Sequence, residues 1–221
     1  MDGISGKDMK SRFLYGGKKV VIHTHNEDEY ISKIINTFHT WYEAPLLEYL
    51  KQYKPKCFVD IGANIGNHSL FFHLNGTKEI HAFEPQPDNF KLLELNCPFP
   101  EYNTYNVALG NELKEITMDN QPLNMGACRV IEGNDMEMRL LDMYTLKPDL
   151  IKIDVEDMEV QVIEGAMETL KKYKPRLIVE HSDLQHFYKT FRLLEPLGYK
   201  VKPFVKEHWE VFEYVVNNTT N

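Results

Sequence analysis

The pattern of apolar and polar residues along this chain changes repeatedly between two periods. Short apolar runs, which predict buried strands, are followed by stretches whose apolar residues recur at helical spacing. The runs predict strands at 57–61, 79–83, 104–108, 150–154 and 176–180, and the helical stretches cover 66–74, 87–96, 159–172 and 184–194. This alternation predicts an α/β fold with a mostly parallel sheet and helices on both faces.

The segment before the alternating region predicts a cover over the main sheet. Its polar start, 1–12, is predicted to be loose, and a short strand is expected at 19–23. Apolar residues at helical spacing then predict helices at 28–38 and 44–52. We therefore expect one compact domain, which consists of a helical N-terminal cover, 1–55, and a core, 56–221.

Two further regions predict antiparallel structure. Between residues 110 and 148, short apolar runs separated by Gly, Asn and Asp predict short strands and loops. Near the C-terminus, predicted strands at 199–204 and 209–216 are close enough in sequence to form an antiparallel hairpin. With these two strands, the central sheet is predicted to have seven.

Acidic residues and a glycine turn fall at the ends of the predicted strands. Ligands of parallel sheets bind at the carboxyl ends of the strands, so one cleft is expected beside Asp60, Glu84, Ala108, Asp154 and Glu180. The turn with Gly62 and Gly66 permits close backbone approach before a helix N-terminus. Glu84 can accept hydrogen bonds from a ribose. This pairing indicates a nucleoside-containing cofactor, and it leaves NAD, FAD and S-adenosylmethionine open.

Composition narrows the classes of function. The 221 residues carry a formal charge of −8 without a cluster of Lys and Arg, which disfavours a nucleic-acid-binding surface. Cys57, Cys97 and Cys128 are widely spaced, so no disulfide framework or CxxC metal motif is indicated, and a reducing cytoplasm is expected. We expect no membrane span and no signal peptide, because no apolar run is long enough and the N-terminus is polar.

A series of motifs in a fixed order resembles one enzyme family. The motifs are Asp60-Ile61-Gly62-Ala63-Asn64-Ile65-Gly66, Ala82-Phe83-Glu84-Pro85, Asn106-Val107-Ala108-Leu109-Gly110, the segment from Pro148 to Glu156, Glu164-Gly165-Ala166, and the segment from Lys174 to Glu180. Over about residues 41–181, the series resembles the FkbM family of S-adenosylmethionine-dependent O-methyltransferases. The chain departs from the family pattern at Asp157, where glycine is usual, and this departure bears on the local turn.

The resemblance implies a Rossmann-like class I methyltransferase fold and a role for each motif. The methionine half of the cofactor would contact the glycine turn, through Asp60, Gly62, Asn64, Gly66 and Ser69. The ribose and adenine would contact the next two strand ends, through Glu84, Pro85, Val107 and Ala108. Asp154 and Glu156 would lie near the point of methyl transfer. Glu43 has either a helix-start role or a role beside the cofactor or a metal.

Methyl transfer to a hydroxyl requires alignment of the oxygen and removal of its proton. Three residues are candidate bases: Asp154, Glu156 and His181. A divalent metal is a further option, since Glu180, His181 and Asp183 could form a carboxylate and histidine cluster. The sequence itself assigns no metal ligand.

Several functions are compatible with these features. The leading hypothesis is an O-methyltransferase for a hydroxyl of a sugar or glycan, with a deoxyhexose such as rhamnose or fucose as the acceptor. A polyketide-type or other small-molecule hydroxyl is the alternative acceptor. From other classes, we consider an NAD-dependent oxidoreductase, which Asn64 at the middle glycine position disfavours. We also consider a non-catalytic binding module inside a larger glycan-synthesis protein.

Overall fold

A computed structural model describes residues 9–202 and 211–216 of the chain. The strands are β1 (Met9–Tyr15), β2 (Lys18–Thr24), β3 (Cys57–Ile61), β4 (Glu79–Phe83), β5 (Tyr102–Tyr105), β6 (Ala108–Leu109), β7 (Lys114–Met118), β8 (Val130–Glu132), β9 (Met136–Arg139), β10 (Leu150–Ile153), β11 (Arg176–Glu180), β12 (Tyr199–Lys202) and β13 (Val211–Val216). The α-helices are α1 (Tyr30–Phe38), α2 (Ala44–Leu50), α3 (Asn67–Leu74), α4 (Pro87–Asn96), α5 (Glu159–Glu164), α6 (Met167–Tyr173) and α7 (Leu184–Leu194).

The central sheet has seven strands in the order β5-β4-β3-β10-β11-β13-β12. The five strands from β5 to β11 are parallel, whereas β13 is antiparallel to both of its neighbours. The predicted sheet and its C-terminal hairpin are therefore confirmed. The order reverses between β3 and β10, which is where parallel sheets form a ligand crevice. Predicted residues 203, 204, 209 and 210 of the hairpin lie outside the described part of the chain.

The apolar residues of alternate positions form a core on each face of this sheet. Phe58 of β3 packs on one face with side chains of α2, α3 and the N-terminal segment. Val59, its neighbour, packs on the other face with α5, α6 and α7. Successive side chains of a strand point to opposite sides, so a continuous apolar run such as β3 has apolar side chains in both cores. None of the helices within the described residues combines the length and apolar character needed to cross a membrane.

The N-terminal segment differs from the prediction. Residues 9–15 form β1, which pairs antiparallel with β2 through a turn at Gly16 and Gly17. Both glycines have positive φ, as two-residue hairpin turns require. Phe13 contacts Trp41 edge to face, with ring centroids 5.2 Å apart. The cover is thus a hairpin plus two helices, and the prediction of a loose start was wrong for residues 9–12.

Two other predicted elements differ from what the apolar pattern indicated. The strand predicted at 104–108 ends at Tyr105, and Ala108 joins a second, four-stranded sheet of β6, β7, β8 and β9. The helix predicted at 159–172 is divided into α5 and α6 around Gly165. A Cβ at Gly165 would lie 1.8 Å from the backbone oxygen of Gly110, so the close contact requires glycine. The short strands predicted between 110 and 148 are present.

Candidate active site

A cavity of about 220 Å³ opens at the carboxyl ends of β3, β4, β10 and β11. The N-terminal segment contributes Tyr30, Ile31 and Tyr42 to its wall, and the segment from the end of β7 to the start of β8 contributes Met118, Met125, Gly126, Cys128 and Val130. These two segments meet where the Tyr30 amide donates to the Leu123 carbonyl at 3.0 Å. The strand ends therefore form the floor of a pocket that other parts of the chain cover.

The glycine turn after β3 forms one wall of the cavity. Gly62 and Asn64 line it, and both have positive φ, +78° and +51°. The Gly62 amide donates to the Phe83 carbonyl at 3.0 Å, which fixes the turn against β4. Gly66, with φ of +84°, is the N-cap residue of α3 and does not line the cavity. A Cβ there would lie 2.8 Å from Leu93, so Gly66 has a packing role.

We expect Gly62→Ala to destabilise the fold more than Gly76→Ala does. Both residues have positive φ, a strain of about 1–2 kcal/mol for a non-glycine residue. A Cβ at Gly62 would lie 1.7 Å from the Asp154 backbone oxygen, whereas at Gly76 nothing lies within 4 Å. The clash should add about 1–3 kcal/mol. Equal losses of unfolding free energy in urea would contradict this close approach.

Glu84 lies at the end of β4 with only 5% of its surface exposed, and it lines the cavity. Its carboxylate accepts hydrogen bonds from the Asn64 amide at 2.7 Å and the Gln86 amide at 2.8 Å. Burial raises the pKa of Glu84 to about 7, against the opposing effect of these hydrogen bonds. Oε1 also accepts a hydrogen bond from the Asn89 side chain at 3.5 Å, so Oε2 keeps the lone pair that can accept a hydroxyl proton.

A buried lysine, Lys152, forms ion pairs near Asp154, where the sequence predicts methyl transfer. Lys152 of β10 is directly paired with Asp60 of β3 in the register of the sheet. The Lys152 ammonium donates to Asp154 at 2.9 Å and lies 3.9 Å from Asp60. Ser69 donates to the other Asp60 oxygen at 2.7 Å. Asp60 and Ser69 do not line the cavity, and Asp60 instead positions Lys152, which does line it.

Burial lowers the pKa of Lys152, but the charges of Asp154, Asp60 and Glu43 outweigh that effect and raise it overall. Lys152 therefore stays charged. Sequence reasoning gave it no role, because a lysine between apolar residues in a strand carries no signal about its partners. The pairing of β10 with β3 places it beside Asp60, whereas Asp154 is only two residues further along the chain.

Asp154, Glu156 and Glu180 converge on the same cavity. The charge of Asp154, together with burial, raises the pKa of Glu180 to about 9. Burial, and then the charge of Asp154, raises the pKa of Glu156 to about 7. Two groups at one site thus have different proton affinities, an arrangement found where a proton is held or accepted.

We expect Glu180→Gln to stabilise the cofactor-free protein more at high pH than at low pH. The pKa of Glu180 is raised in the folded state, so its stabilising contribution is complete below about pH 4.5 and is lost as the pH rises towards 9. Glutamine has no such loss. The gain in unfolding free energy should be on the order of 2 kcal/mol larger at pH 9 than at pH 5. The exposed Glu94→Gln is the control, and a gain independent of pH would contradict the burial of this charge.

Two further residues that line the cavity were not predicted as site residues. His68 and Tyr42 both line the cavity, and His68 Nε2 lies 3.1 Å from the Glu43 carboxylate. Glu43 begins α2 with φ of +54° and does not itself line the cavity. Burial, and then the charges of Glu43 and Asp154, raise the pKa of Tyr42. Glu43 therefore acts on the cavity through its neighbours.

The other predicted residues divide into two groups. Pro85, Val107 and Ala108 line the cavity, as expected for residues beside a nucleoside. His181 does not. It is 1% exposed, its Nε2 lies 3.0 Å from the Tyr214 hydroxyl, and burial lowers its pKa to about 4. The aromatic packing around it replaces the predicted cluster with Glu180 and Asp183, so we leave His181 out of the reacting groups.

The turn after β10 is strained. Glu156 and Asp157 have φ of +49° and +74°, in the left-handed region that glycine favours. Asp157 stands where the family pattern usually has glycine, and it contacts Arg129 at 3.2 Å and the Ser182 hydroxyl. These contacts hold the strained backbone and with it the position of Glu156 at the cavity wall. Such strain is often found at functional sites.

The strand order, the glycine turn and the acidic strand ends define a class I, Rossmann-like methyltransferase. Residues 60–201 match the family model described as the methyltransferase FkbM domain. The chain belongs to the FkbM family of methyltransferases, as its motifs predicted.

Comparison with known proteins gives distant relatives. The chain is 25% identical over 133 residues to the hexuronic acid methyltransferase AglP of Haloferax volcanii, covering 56% of this chain and 55% of that protein. It is 23% identical over 188 residues to a Helicobacter pylori protein named bifunctional dihydropteroate synthase/dihydropteroate reductase, covering 76% and 50%. The chain thus spans about half the length of the curated relatives it matches.

Solved structures share the fold. A putative caffeoyl-CoA O-methyltransferase from Staphylococcus aureus superposes with a TM-score of 0.53 at 16% identity, covering 84% of this chain and 91% of that one. The methyltransferase FkbM of Methylobacillus flagellatus superposes with a TM-score of 0.50 at 19% identity, covering 72% and 42%. At these identities the likeness concerns the fold alone.

Proposed function

We propose that this chain is an S-adenosylmethionine-dependent O-methyltransferase that acts on a hydroxyl of a sugar or glycan. The observation that carries the proposal is the convergence of Asp154, Glu156 and Glu180 in the same cavity as Glu84. Glu84 suits a ribose, and the three carboxylates suit an acceptor whose hydroxyl donates hydrogen bonds. AglP, a hexuronic acid methyltransferase by name, supports a sugar acceptor.

The residues present fit the cofactor. Glu84 is a buried carboxylate at the cavity wall whose remaining lone pair would accept a ribose hydroxyl. The turn at Gly62 and Asn64 would contact the methionine half, and Val107 and Ala108 would flank the adenine. When bound, S-adenosylmethionine supplies an electrophilic methyl group on a positively charged sulfur. The negative charge of Asp154 is favourable near such a charge.

The protein's part in the reaction is to align the acceptor hydroxyl and take its proton. We assign the proton transfer to Glu156, since its pKa of about 7 lies near the range at which a general base is most effective. Asp154, whose carboxylate accepts a hydrogen bond from Lys152 at 2.9 Å, orients the acceptor. Glu180 holds a proton and can donate it to a second acceptor oxygen.

The aromatic wall favours a sugar among hydroxyl acceptors. Tyr30 and Tyr42 line the cavity with ring centroids 6.3 Å apart, in an edge-to-face contact. Tyrosine offers an apolar ring surface for C–H groups and a hydroxyl for hydrogen bonding. A deoxyhexose such as rhamnose or fucose presents both kinds of surface.

We further propose that the chain divides between residues 55 and 56 into an N-terminal cover and a catalytic core.

The first experiment is calorimetric titration with S-adenosylmethionine and, separately, with NAD. Binding of the first alone supports the proposal, and binding of NAD alone would favour an oxidoreductase. Methyl transfer from labelled cofactor is then measured to rhamnosides, fucosides and hexuronic acids, with phenolic and polyketide-type hydroxyls as comparison acceptors. Transfer only to the comparison acceptors would overturn the sugar assignment. Acceptor binding without transfer would favour a binding module in a larger glycan-synthesis protein.

The assay is best run under reducing conditions. Cys57, Cys97 and Cys128 are all free and buried, which suits a reducing compartment such as the cytoplasm. We propose that compartment for the activity. A divalent metal is tested in the same assay by comparing rates with and without a chelator.

A further inference from the structure

A second group of chemically active side chains lies at the opposite end of the sheet from the cavity. Cys57 begins β3 and Glu79 begins β4, and the two are directly paired in the parallel register. His81 follows Glu79 by two residues, so its side chain points to the same face of the sheet. One ligand atom from each of the three residues lies within 4.8 Å of the others.

The spacing of these atoms is close to that of a metal site. Zn–S and Zn–N bonds are about 2.3 Å and 2.0–2.1 Å, so two ligands of one ion are at most about 4.4 Å apart. The Glu79 carboxylate already lies 2.9 Å from His81 Nε2, and its side chain, 51% exposed, has room to adjust to an ion. Cys57 and His81 are 3% and 6% exposed, so the other two ligands are held by packing.

The orientation of His81 matches that of a metal ligand. Its Nε2 lies 2.9 Å from the Glu79 carboxylate, inside the group, and its Nδ1 lies 3.1 Å from the Tyr105 hydroxyl of β5. The Tyr105 ring stacks against the imidazole with an interplanar angle of 10°. A histidine that ligates a metal commonly has its second nitrogen hydrogen-bonded in this way, which fixes the ring.

We propose that Cys57, Glu79 and His81 form a binding site for a thiophilic divalent cation, Zn²⁺, at the amino ends of β3 and β4. The thiolate and the carboxylate balance the charge of the ion, and sulfur with imidazole favours zinc over magnesium or calcium. Three protein ligands leave one position for water on the exposed Glu79 side. The ion would join the starts of the two strands whose other ends carry the glycine turn and Glu84.

Binding at this site is coupled to the release of a proton. Zinc binds the thiolate, and the thiol proton passes to the buffer as the Zn–S bond forms.

The test is titration of the chelator-treated, cofactor-free protein with Zn²⁺, followed by Co²⁺ in place of zinc. We expect one equivalent to bind, a buffer-dependent enthalpy that reports the released proton, and a thiolate-to-cobalt charge-transfer band. Cys57→Ser and His81→Gln should each weaken Zn²⁺ binding by about 100-fold, and Glu79→Gln by about 10-fold. Glu79→Gln changes a half-exposed side chain, so it tests the site even where the other variants fold poorly.

Matched controls separate this site from incidental binding. Cys128→Ser replaces another buried cysteine, and His186→Gln replaces a histidine on α7; both should leave the affinity for Zn²⁺ unchanged. No binding by the wild-type protein would overturn the proposal. Binding that persists in all three site variants, or a cobalt complex without a sulfur band, would also overturn it. These measurements need neither S-adenosylmethionine nor an acceptor, so their outcome is independent of the methyltransferase assignment.

Discussion

Replacement of Glu84 by alanine is expected to weaken S-adenosylmethionine binding by about 10- to 100-fold. Hydrogen bonds to a charged group contribute about 1.5–3 kcal/mol each, and every 1.4 kcal/mol corresponds to tenfold in affinity. Glu84 also accepts the Asn64 amide at 2.7 Å, so its removal loosens the glycine turn as well as the ribose contact. Calorimetric titration of the wild-type and variant proteins measures the change.

The pH dependence of binding provides a second measurement on Glu84. Burial raises its pKa to about 7 in the cofactor-free protein, so the carboxylate gains a proton as the pH falls below that value. A protonated carboxyl accepts hydrogen bonds less well. The affinity of the wild-type protein for S-adenosylmethionine should therefore fall as the pH falls below about 7. Glu94→Ala, which changes an exposed glutamate of α4, is the control. Unchanged affinity in Glu84→Ala would remove the residue from the ribose site.

Replacement of Glu156 by glutamine is expected to lower kcat by about 10²–10⁴-fold, the usual contribution of a general base. The affinity for S-adenosylmethionine should change little, because the ribose and the glycine turn lie elsewhere in the cavity. Glutamine keeps the size of the side chain but cannot take a proton. In the wild-type protein, kcat should rise with pH through about 7, where Glu156 loses its proton. That rise should be absent in the variant.

Asp154→Asn distinguishes the two carboxylates. It also lowers kcat, since Asp154 is expected to orient the acceptor, but the rise of kcat near pH 7 should remain because Glu156 is intact. Loss of the Lys152 contact, 2.9 Å in the wild-type protein, makes a parallel stability measurement necessary. Asp88→Asn, at an exposed surface pair with Lys91, is the control. A pH profile lost in Asp154→Asn and kept in Glu156→Gln would reverse the two assignments.

Local sequence patterns were sufficient for the central elements. The strands at 57–61, 79–83 and 176–180 have the predicted bounds, because each is a short apolar run bounded by turn residues. The parallel strands and the closing hairpin follow from β–α alternation and from the closeness of the last two strands in sequence, which are also local features. The location of the glycine turn and of Glu84 at the cavity could be predicted for the same reason, since both follow strand ends.

Features that depend on distant partners could not be predicted in this way. The strand at 9–15 is fixed by packing against Trp41 and by a hairpin turn that the polar composition concealed. The break at Gly165 is fixed by the backbone of Gly110. His181 follows a strand end just as a reacting residue could, but its burial beside Tyr214 separates it from the cavity.

The sequence by itself determined the alternation of strands and helices, the position of the glycine turn and the family to which the chain belongs. Each of these depends on residues that are near one another in the chain. The tertiary structure alone decided which charges share the site. Lys152 meets Asp60 only because β10 pairs with β3, and Cys57 meets His81 only because β3 pairs with β4. Charge interactions depend on distance in space and on burial, and separation along the chain specifies neither.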